Sequence, residues 1–150
     1  MDTVKILFDP SMIGESDHPI SVEIYQGDMF ERAKESSRKG KRVAIHNFAN
    51  NERPGLYKMG ADGGIYFTTS TQEEQLLRAT MKENRLILDD RFYPISSDQN
   101  ACLITRDATF WKDRKRGYNV RAGDRFTANI ISCAAERDPQ LINGLYSEKS

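Results

Sequence analysis

The chain has 150 residues, enough for one domain with a proper core and too few for two. Lys plus Arg and Asp plus Glu number 22 each, so the net charge is zero and no global field draws the protein to nucleic acid or to a membrane. Apolar residues make up 38% and charged residues 29%, with seven Phe, six Tyr and one Trp, a balance that excludes full disorder and points to a well-solvated folded chain or part of a larger assembly.

No apolar run is long enough to span a bilayer. The opening Met1-Asp2-Thr3-Val4-Lys5-Ile6 lacks the charged-then-apolar layout of a signal peptide, and the chain reads as cytoplasmic. Cys102 and Cys133 sit in apolar contexts and read as two buried thiols in a reducing compartment rather than as a disulfide. His18 and His46 lie far apart without a matching Cys or carboxylate spacing, so no metal site is expected.

In chain order, Val4 to Phe8 is a short apolar run stopped by Asp9-Pro10, a leading strand, and residues 10–19 read as loop. Ile20 to Tyr25 alternates apolar and polar, the period of a strand. Asp28 and Glu31 have capping-box spacing and open a helix that runs to about Arg38, closed by Lys39-Gly40-Lys41. Arg42 to Phe48 is a second strand, and strand, helix, strand in this order favours a parallel pair and an α/β fold. Ala49 to Thr69, with Pro54, Gly55, Gly60, Gly63 and Gly64, reads as a long loop of the kind that carries function. Ser70 is the candidate N-cap of a helix from Thr71 to about Lys82, with Leu76, Leu77 and Thr80 facing inward. Ala101 to Thr105, Thr109 to Lys112 and Phe126 to Ala135 read as strands, with a basic turn at Asp113 to Gly117. The tail from Glu136 to Ser150 carries a short helix around Pro139 to Leu145. Three parts follow: an N-terminal strand and loop over 1–19, a core over 20–135 and a tail over 136–150.

The chemistry concentrates in one stretch. Gly63-Gly64 is followed, after seven residues, by Gln72-Glu73-Glu74. Glycines let backbone N–H groups approach a phosphate, and acids at a helix start stand beside that loop. A phosphate cradle next to a carboxylate that moves a proton is the minimal equipment for cutting a nucleotide–sugar bond. The plainer reading of the acids is a solvated first turn favoured by the helix dipole. Adjacent helical residues point roughly 100° apart, so the two acids do not share one task. Asn47 and Asn50 sit where a strand gives way to a loop, the usual ligand edge of an α/β sheet, although Asn also caps loops. Phe110 and Trp111 suit stacking on a base or ribose, against the plainer reading of strand core. Arg114 to Arg116 read as a solvated turn.

Taken together, Asn47-Phe48-Ala49-Asn50, then Pro54-Gly55, then Gly63-Gly64 with seven residues to Gln72-Glu73-Glu74, resembles the signature of poly(ADP-ribose) glycohydrolases of the macrodomain superfamily, the microbial type above all. In that family a strand ends in Asn-Phe-Ala-Asn, followed by Pro-Gly-Gly-Gly, seven residues, Gln-Glu-Glu and a helix. Leu77-Arg78 fits the same pattern, Ile104 to Asp113 is similar to the family's Tyr-Ser-Pro-x-Val-x-Val-Phe-Arg-Asp segment, and Phe126 to Ala135 to the strand after it. Two features depart from the pattern. Leu56 to Asp62 separates Pro54-Gly55 from Gly63-Gly64, with Asp62 in place of the first glycine, and nothing after Ala135 resembles the family's second glycine-rich loop.

The resemblance implies a macrodomain-like three-layer α/β/α fold with a mixed sheet, incomplete at its C-terminal part. It implies hydrolysis of O-glycosidic ADP-ribose linkages without cofactor or metal, with Glu74 as the acid/base and Glu73 on ribose hydroxyls. Asn47, Asn50, Gly63, Gly64, Gln72, Asp28 and Phe110 make up the implied ligand set, with Asn50 on the distal ribose and Asp28 on the adenine amino group. The plainer reading of Asp28 is a helix N-cap. The implied partners are ADP-ribose or an ADP-ribosylated protein, and a second chain or segment that completes the domain. Two alternatives stay open: a non-catalytic ADP-ribose-binding or nucleotide-binding module, and a degenerate macrodomain serving assembly inside a larger protein, viral or not.

Overall fold

The computed structural model describes residues 2–7, 9, 11, 14, 17–88, 90–95, 101–113, 117–120, 123, 125–135, 141–142 and 145–146. Along the chain come β1 (Asp2–Leu7), α1 (Met29–Arg38), β2 (Ala44–Phe48), β3 (Lys58–Met59), β4 (Ile65–Tyr66), α2 (Gln72–Thr80), β5 (Ala101–Phe110), β6 (Lys112–Asp113), β7 (Asn119–Val120), β8 (Phe126–Cys133), β9 (Leu141–Ile142) and β10 (Leu145–Tyr146). The central sheet has the order β1-β5-β8-β2. β5 runs antiparallel to β1 and β8, and β2 runs parallel to β8, so the sheet is mixed as the sequence implies.

The alternation of the strands gives the sheet two unlike faces. Ile45 and Asn47 of β2, Leu103 and Thr105 of β5, and Ala128, Ile130 and Ser132 of β8 are buried. Ala33 of α1 and Leu76, Leu77 and Ala79 of α2 join these apolar residues in one core cluster, so both α-helices pack on that face. Among the described residues no helix covers the opposite face, where Ala44, His46 and Phe48 are exposed and Ile104, Ile131 and Cys133 are half-buried. A bulge in β5 between Thr105 and Ala108 shifts the phase of the strand. It lets Ala108 and Phe110 point into the same core as Leu103, which is why the segment is one strand and not the two pieces predicted.

Local chemistry accounts for both helices. The Asp28 carboxylate accepts from the backbone N–H groups of Phe30 at 2.8 Å and Glu31 at 3.2 Å and starts α1. Gly40, at φ 74°, ends it in the left-handed conformation that favours glycine. α2 is capped by Thr71 and not by Ser70: its hydroxyl accepts from Glu74 N–H. The reason is that the Glu73 carboxylate does not fold back on the cap; it reaches across to the loop after β2.

Three elements differ from the sequence reading. Ile20 to Tyr25 forms no strand, and Ile20, Val22 and Ile24 are 88%, 88% and 97% exposed. The outward edge of β2 is already occupied, because Gln72 Nε2 donates to His46 O at 2.6 Å and Gln72 Oε1 accepts from Phe48 N–H at 2.9 Å. The segment is tied to α1 instead: Arg32 pairs with Glu23 at 2.7 Å and lies over the Tyr25 ring. Parallel pairing of β2 therefore comes from β8, far along the chain, and not from a β-α-β unit. The long loop after β2 contains a 3₁₀ turn at Pro54–Leu56 and the small antiparallel hairpin β3–β4. In the tail, β9 pairs antiparallel with β10 where a helix was predicted, and residues 136–140 lie outside the described residues, as do Arg114 to Arg116 of the basic turn. An Asn-Gly pair between apolar residues, as at Asn143-Gly144, is a hairpin signal rather than a helical one.

Candidate active site

The cavity lies beyond the C-terminal end of β2, where the chain leaves the sheet. It has a volume of about 250 Å³ and is lined by Phe48 to Asn50, Gly55, Leu56, Thr68, Thr69, Thr71, Glu73 and Glu74. Three segments meet there: the end of β2, the 3₁₀ turn and the N-terminus of α2. The two acids are buried, Glu73 to 2% and Glu74 to 3% exposure, which a solvated helix start would not show.

Their surroundings differ. Glu73 Oε1 accepts from Asn47 Nδ2 at 3.2 Å and from Tyr93 Oη at 3.3 Å. Its Oε2 accepts from the backbone N–H groups of Asn50 at 2.8 Å and Gly55 at 3.0 Å. Burial still dominates and pushes the Glu73 carboxyl above the usual range, although the bonds from Asn50, Gly55, Asn47 and Tyr93 all act to lower it. Burial, then the neighbouring Glu73 charge, pushes the Tyr93 phenol well up. Glu74 Oε1 accepts from the Thr69 hydroxyl, while its Oε2 is buried without a hydrogen-bond partner. A buried acceptor left unpaired is uncommon enough to mark a site.

The backbone of this region holds because Gly55 allows it. Gly55 has φ 53°, and a Cβ there would stand 2.9 Å from Leu77 Cδ1, 3.0 Å from Phe67 Cε1 and 3.3 Å from Glu74 Cγ. Only a glycine lets the turn pack so close to both the helix and the Glu74 side chain.

Of the residues singled out in the sequence, the structure brings Asn50, Glu73 and Glu74 to the cavity, with Asn47 behind Glu73. Asn47 Nδ2 also donates to Ser132 Oγ at 3.0 Å, and Asn47 Oδ1 is the second buried oxygen without a partner among the described residues. Asn50 Oδ1 accepts from the N–H groups of Glu52 and Arg53, so its side chain does cap the loop. Gln72 sits at the sheet edge rather than among the lining residues.

Five residues stand elsewhere. Gly63 and Gly64 occupy the exposed β3–β4 turn, where Gly64 N–H donates to Asp62 Oδ1 and the Tyr66 hydroxyl donates to Asp62 Oδ2. The Asp62 carboxyl is held below the ordinary range by Tyr66 first and by the Gly64 amide second, so it serves the turn. Asp28 is the N-cap of α1. Phe110 is buried in the core and stacks on Phe126 at 4.5 Å, which leaves no ring face for a base. The Trp111 ring is approached by Lys82 at 4.9 Å and Arg125 at 4.6 Å.

Tyr93 and Thr69 join the acids, and Ser132 joins Asn47, without having been singled out. Tyr93 and Ser132 come from distant segments with no local motif. Thr69 belongs to the run Thr68-Thr69-Ser70-Thr71 directly before the acids, a cluster of hydroxyls that signals hydrogen bonding to them.

The fold and cavity define a class: an α/β domain with a mixed sheet, a cleft at the carboxyl end of a strand, and two buried acids on the following helix. Residues 5–113 match the sequence profile of the family described as microbial-type PARG, catalytic domain, and the chain belongs to that family. PARG stands for poly(ADP-ribose) glycohydrolase. A comparison with curated proteins gives no match. Among solved structures, the chain is similar to poly(ADP-ribose) glycohydrolase from Deinococcus radiodurans in complex with ADP-ribose, at 19% identity and a TM-score of 0.47. A single-substitution mutant of the same enzyme, also with ADP-ribose, gives 18% identity and a TM-score of 0.48. Each alignment covers 71% of this chain and 41% of the Deinococcus chain, so the protein spans under half the length of the glycohydrolase it matches.

Proposed function

We propose that this domain recognises ADP-ribose and hydrolyses O-glycosidic ADP-ribose linkages, with Glu74 as the acid/base. The observation that carries the reading is the unpaired, buried Glu74 Oε2 in the cavity that also holds Asn50 and Gly55. Breaking a ribose–ribose bond requires a proton on the leaving oxygen while an oxocarbenium-like ribose develops, and then removal of a proton from the attacking water. Glu74 Oε2 has no protein donor competing for it, and Thr69 fixes the orientation of the carboxyl through Oε1. Glu73 has both oxygens engaged by protein donors, so its part is that of a positioning residue. It holds the Asn50 and Gly55 amides, and with them two of the residues that line the cavity beside Glu74. The volume of about 250 Å³ is below the roughly 300–1,000 Å³ of pockets that enclose a whole small ligand. It suits the ribose end of ADP-ribose, with the nucleotide extending beyond it. Incubation of the purified chain with poly(ADP-ribose) tests the reading: release of ADP-ribose supports it, and no product at micromolar enzyme contradicts it.

A second reading, a non-catalytic ADP-ribose-binding module, is favoured by one observation: Gly63 and Gly64 stand in the β3–β4 turn and not at the cavity, so the expected phosphate cradle is not beside the acids. Calorimetry with ADP-ribose separates the two. Binding without any turnover of the polymer selects the module.

A further inference from the structure

The open face of the sheet carries a feature separate from the cavity. β5 and β8 run antiparallel and set Cys102 directly opposite Cys133. The Cys133 carbonyl accepts from Ala49 N–H at 3.0 Å, and two turns of the pleat earlier Asn129 N–H donates to Val43 O at 2.8 Å. The N–H and C=O of one strand residue point to the same side, so the backbone of Cys133 faces β2 and not β5. Cys102 and Cys133 are therefore a non-hydrogen-bonded antiparallel pair, in which the Cα atoms lie about 4.5 Å apart and the side chains approach most closely. That spacing falls within the ~4.4–6.8 Å that a disulfide bridges without backbone movement.

Alternation also decides where the two thiols point. Their neighbours Leu103 and Ser132 are fully buried beneath the helices, whereas Cys102 and Cys133 are free thiols, half-buried on the other face. Burial first, and the facing Cys102 thiol second, push the Cys133 thiol up. The same row of the sheet ends at exposed Phe48, the register partner of Cys133 in β2.

We infer that Cys102 and Cys133 form a redox-modifiable dithiol, which closes into a cross-strand disulfide when a hydroperoxide reaches the open face of the sheet. The thiols supply two electrons and two protons in total. One sulfur attacks the peroxide oxygen and becomes a sulfenic acid, releasing one water from hydrogen peroxide. The second thiol then attacks that sulfur, the S–S bond forms, the S–O bond breaks and a second water leaves. The bond ties β5 to β8 on the face away from Asn47 and Glu73, so it adds nothing to the cavity.

The test uses the full chain, reduced, freed of reductant and treated with hydrogen peroxide. Both thiols are expected to become inaccessible to iodoacetamide together, with loss of two hydrogen atoms by mass and a Cys102–Cys133 cross-linked peptide under non-reducing digestion. The chain stays monomeric on non-reducing electrophoresis, and dithiothreitol restores both thiols. Cys102→Ser and Cys133→Ser, each first checked for native circular dichroism, are expected to stop at a sulfenic acid or a chain-to-chain disulfide under the same treatment. The proposal is overturned if both wild-type thiols stay alkylatable at a peroxide level that oxidises the single variants. Sulfinic acids at both positions without a cross-link, or bridges formed only between chains, would overturn it equally.

Discussion

Glu73 and Glu74 are neighbours in sequence and equally buried, yet Glu73 accepts four hydrogen bonds while Glu74 leaves Oε2 without any. A single residue step separates a carboxylate engaged by four donors from one that lines the same cavity with one oxygen unpaired. The division follows from helix geometry: rotation of about 100° per residue sends the two side chains to different walls.

Removing the Glu73 side chain is predicted to unsettle the fold. Glu73→Ala leaves Asn47 Nδ2, Tyr93 Oη and the amides of Asn50 and Gly55 without this acceptor. Each buried donor so stranded costs about 1–3 kcal/mol, and because the losses are not additive the sum is expected to be about 3 kcal/mol or more. Urea denaturation of Glu73→Ala against Glu74→Ala checks this, with the Glu74 variant markedly less destabilised.

The raised Glu73 carboxyl carries a sign for pH. Folding favours the protonated form, so the native state binds more protons than the unfolded chain above the ordinary glutamate value of 4.5. The contribution is fully present below that value and is lost as pH rises through the raised value of the folded state. Tyr93 acts in the same direction at the alkaline end, since its phenol is also raised. Denaturation midpoints measured from pH 4 upward should show this decline, and Glu73→Gln, which does not titrate, should flatten its acidic part. The variant retains the fold because the Asn47 amide can turn its unpaired Oδ1 toward the new Gln N–H.

Gly55→Ala is predicted to damage both stability and site. The new methyl group meets Leu77 and Phe67 at about 3 Å and forces a non-glycine residue to φ 53°. Left-handed backbone costs about 1–2 kcal/mol and overpacking about 1–3 kcal/mol, so a loss of roughly 2–5 kcal/mol is expected by urea denaturation. Turnover should fall as well, because Glu74 Cγ is the third neighbour of the added carbon.

Gln72→Ala opens the edge of β2. It removes the bonds to His46 O and Phe48 N–H and is expected to cost about 1–2 kcal/mol, with increased self-association through the exposed strand edge. Light scattering alongside thermal unfolding reads both effects.

Much of this arrangement was legible where chemistry is local. Asp28 and Gly40 bound α1 as their residue types dictate, and the runs of apolar residues locate β2, β5 and β8. The apolar alternation of Ile20 to Tyr25 misled because a period of two specifies a strand only when an edge is open to receive it, and Gln72 holds that edge. The turn at Gly63-Gly64 was legible as a turn, but not its distance from the acids, which depends on Lys58-Met59 forming a hairpin arm. Tyr93 and Ser132 reach the site only through tertiary packing, so no local pattern announces them.

The role of Glu74 is decided by turnover of poly(ADP-ribose) by wild type and Glu74→Gln, with ADP-ribose affinity measured on the same samples. Wild type is expected to release ADP-ribose. The variant is expected to lose about 10²–10⁴-fold in rate, the usual share of a general acid/base, while its affinity stays within a few fold. A variant that turns the polymer over within tenfold of wild type would contradict that role.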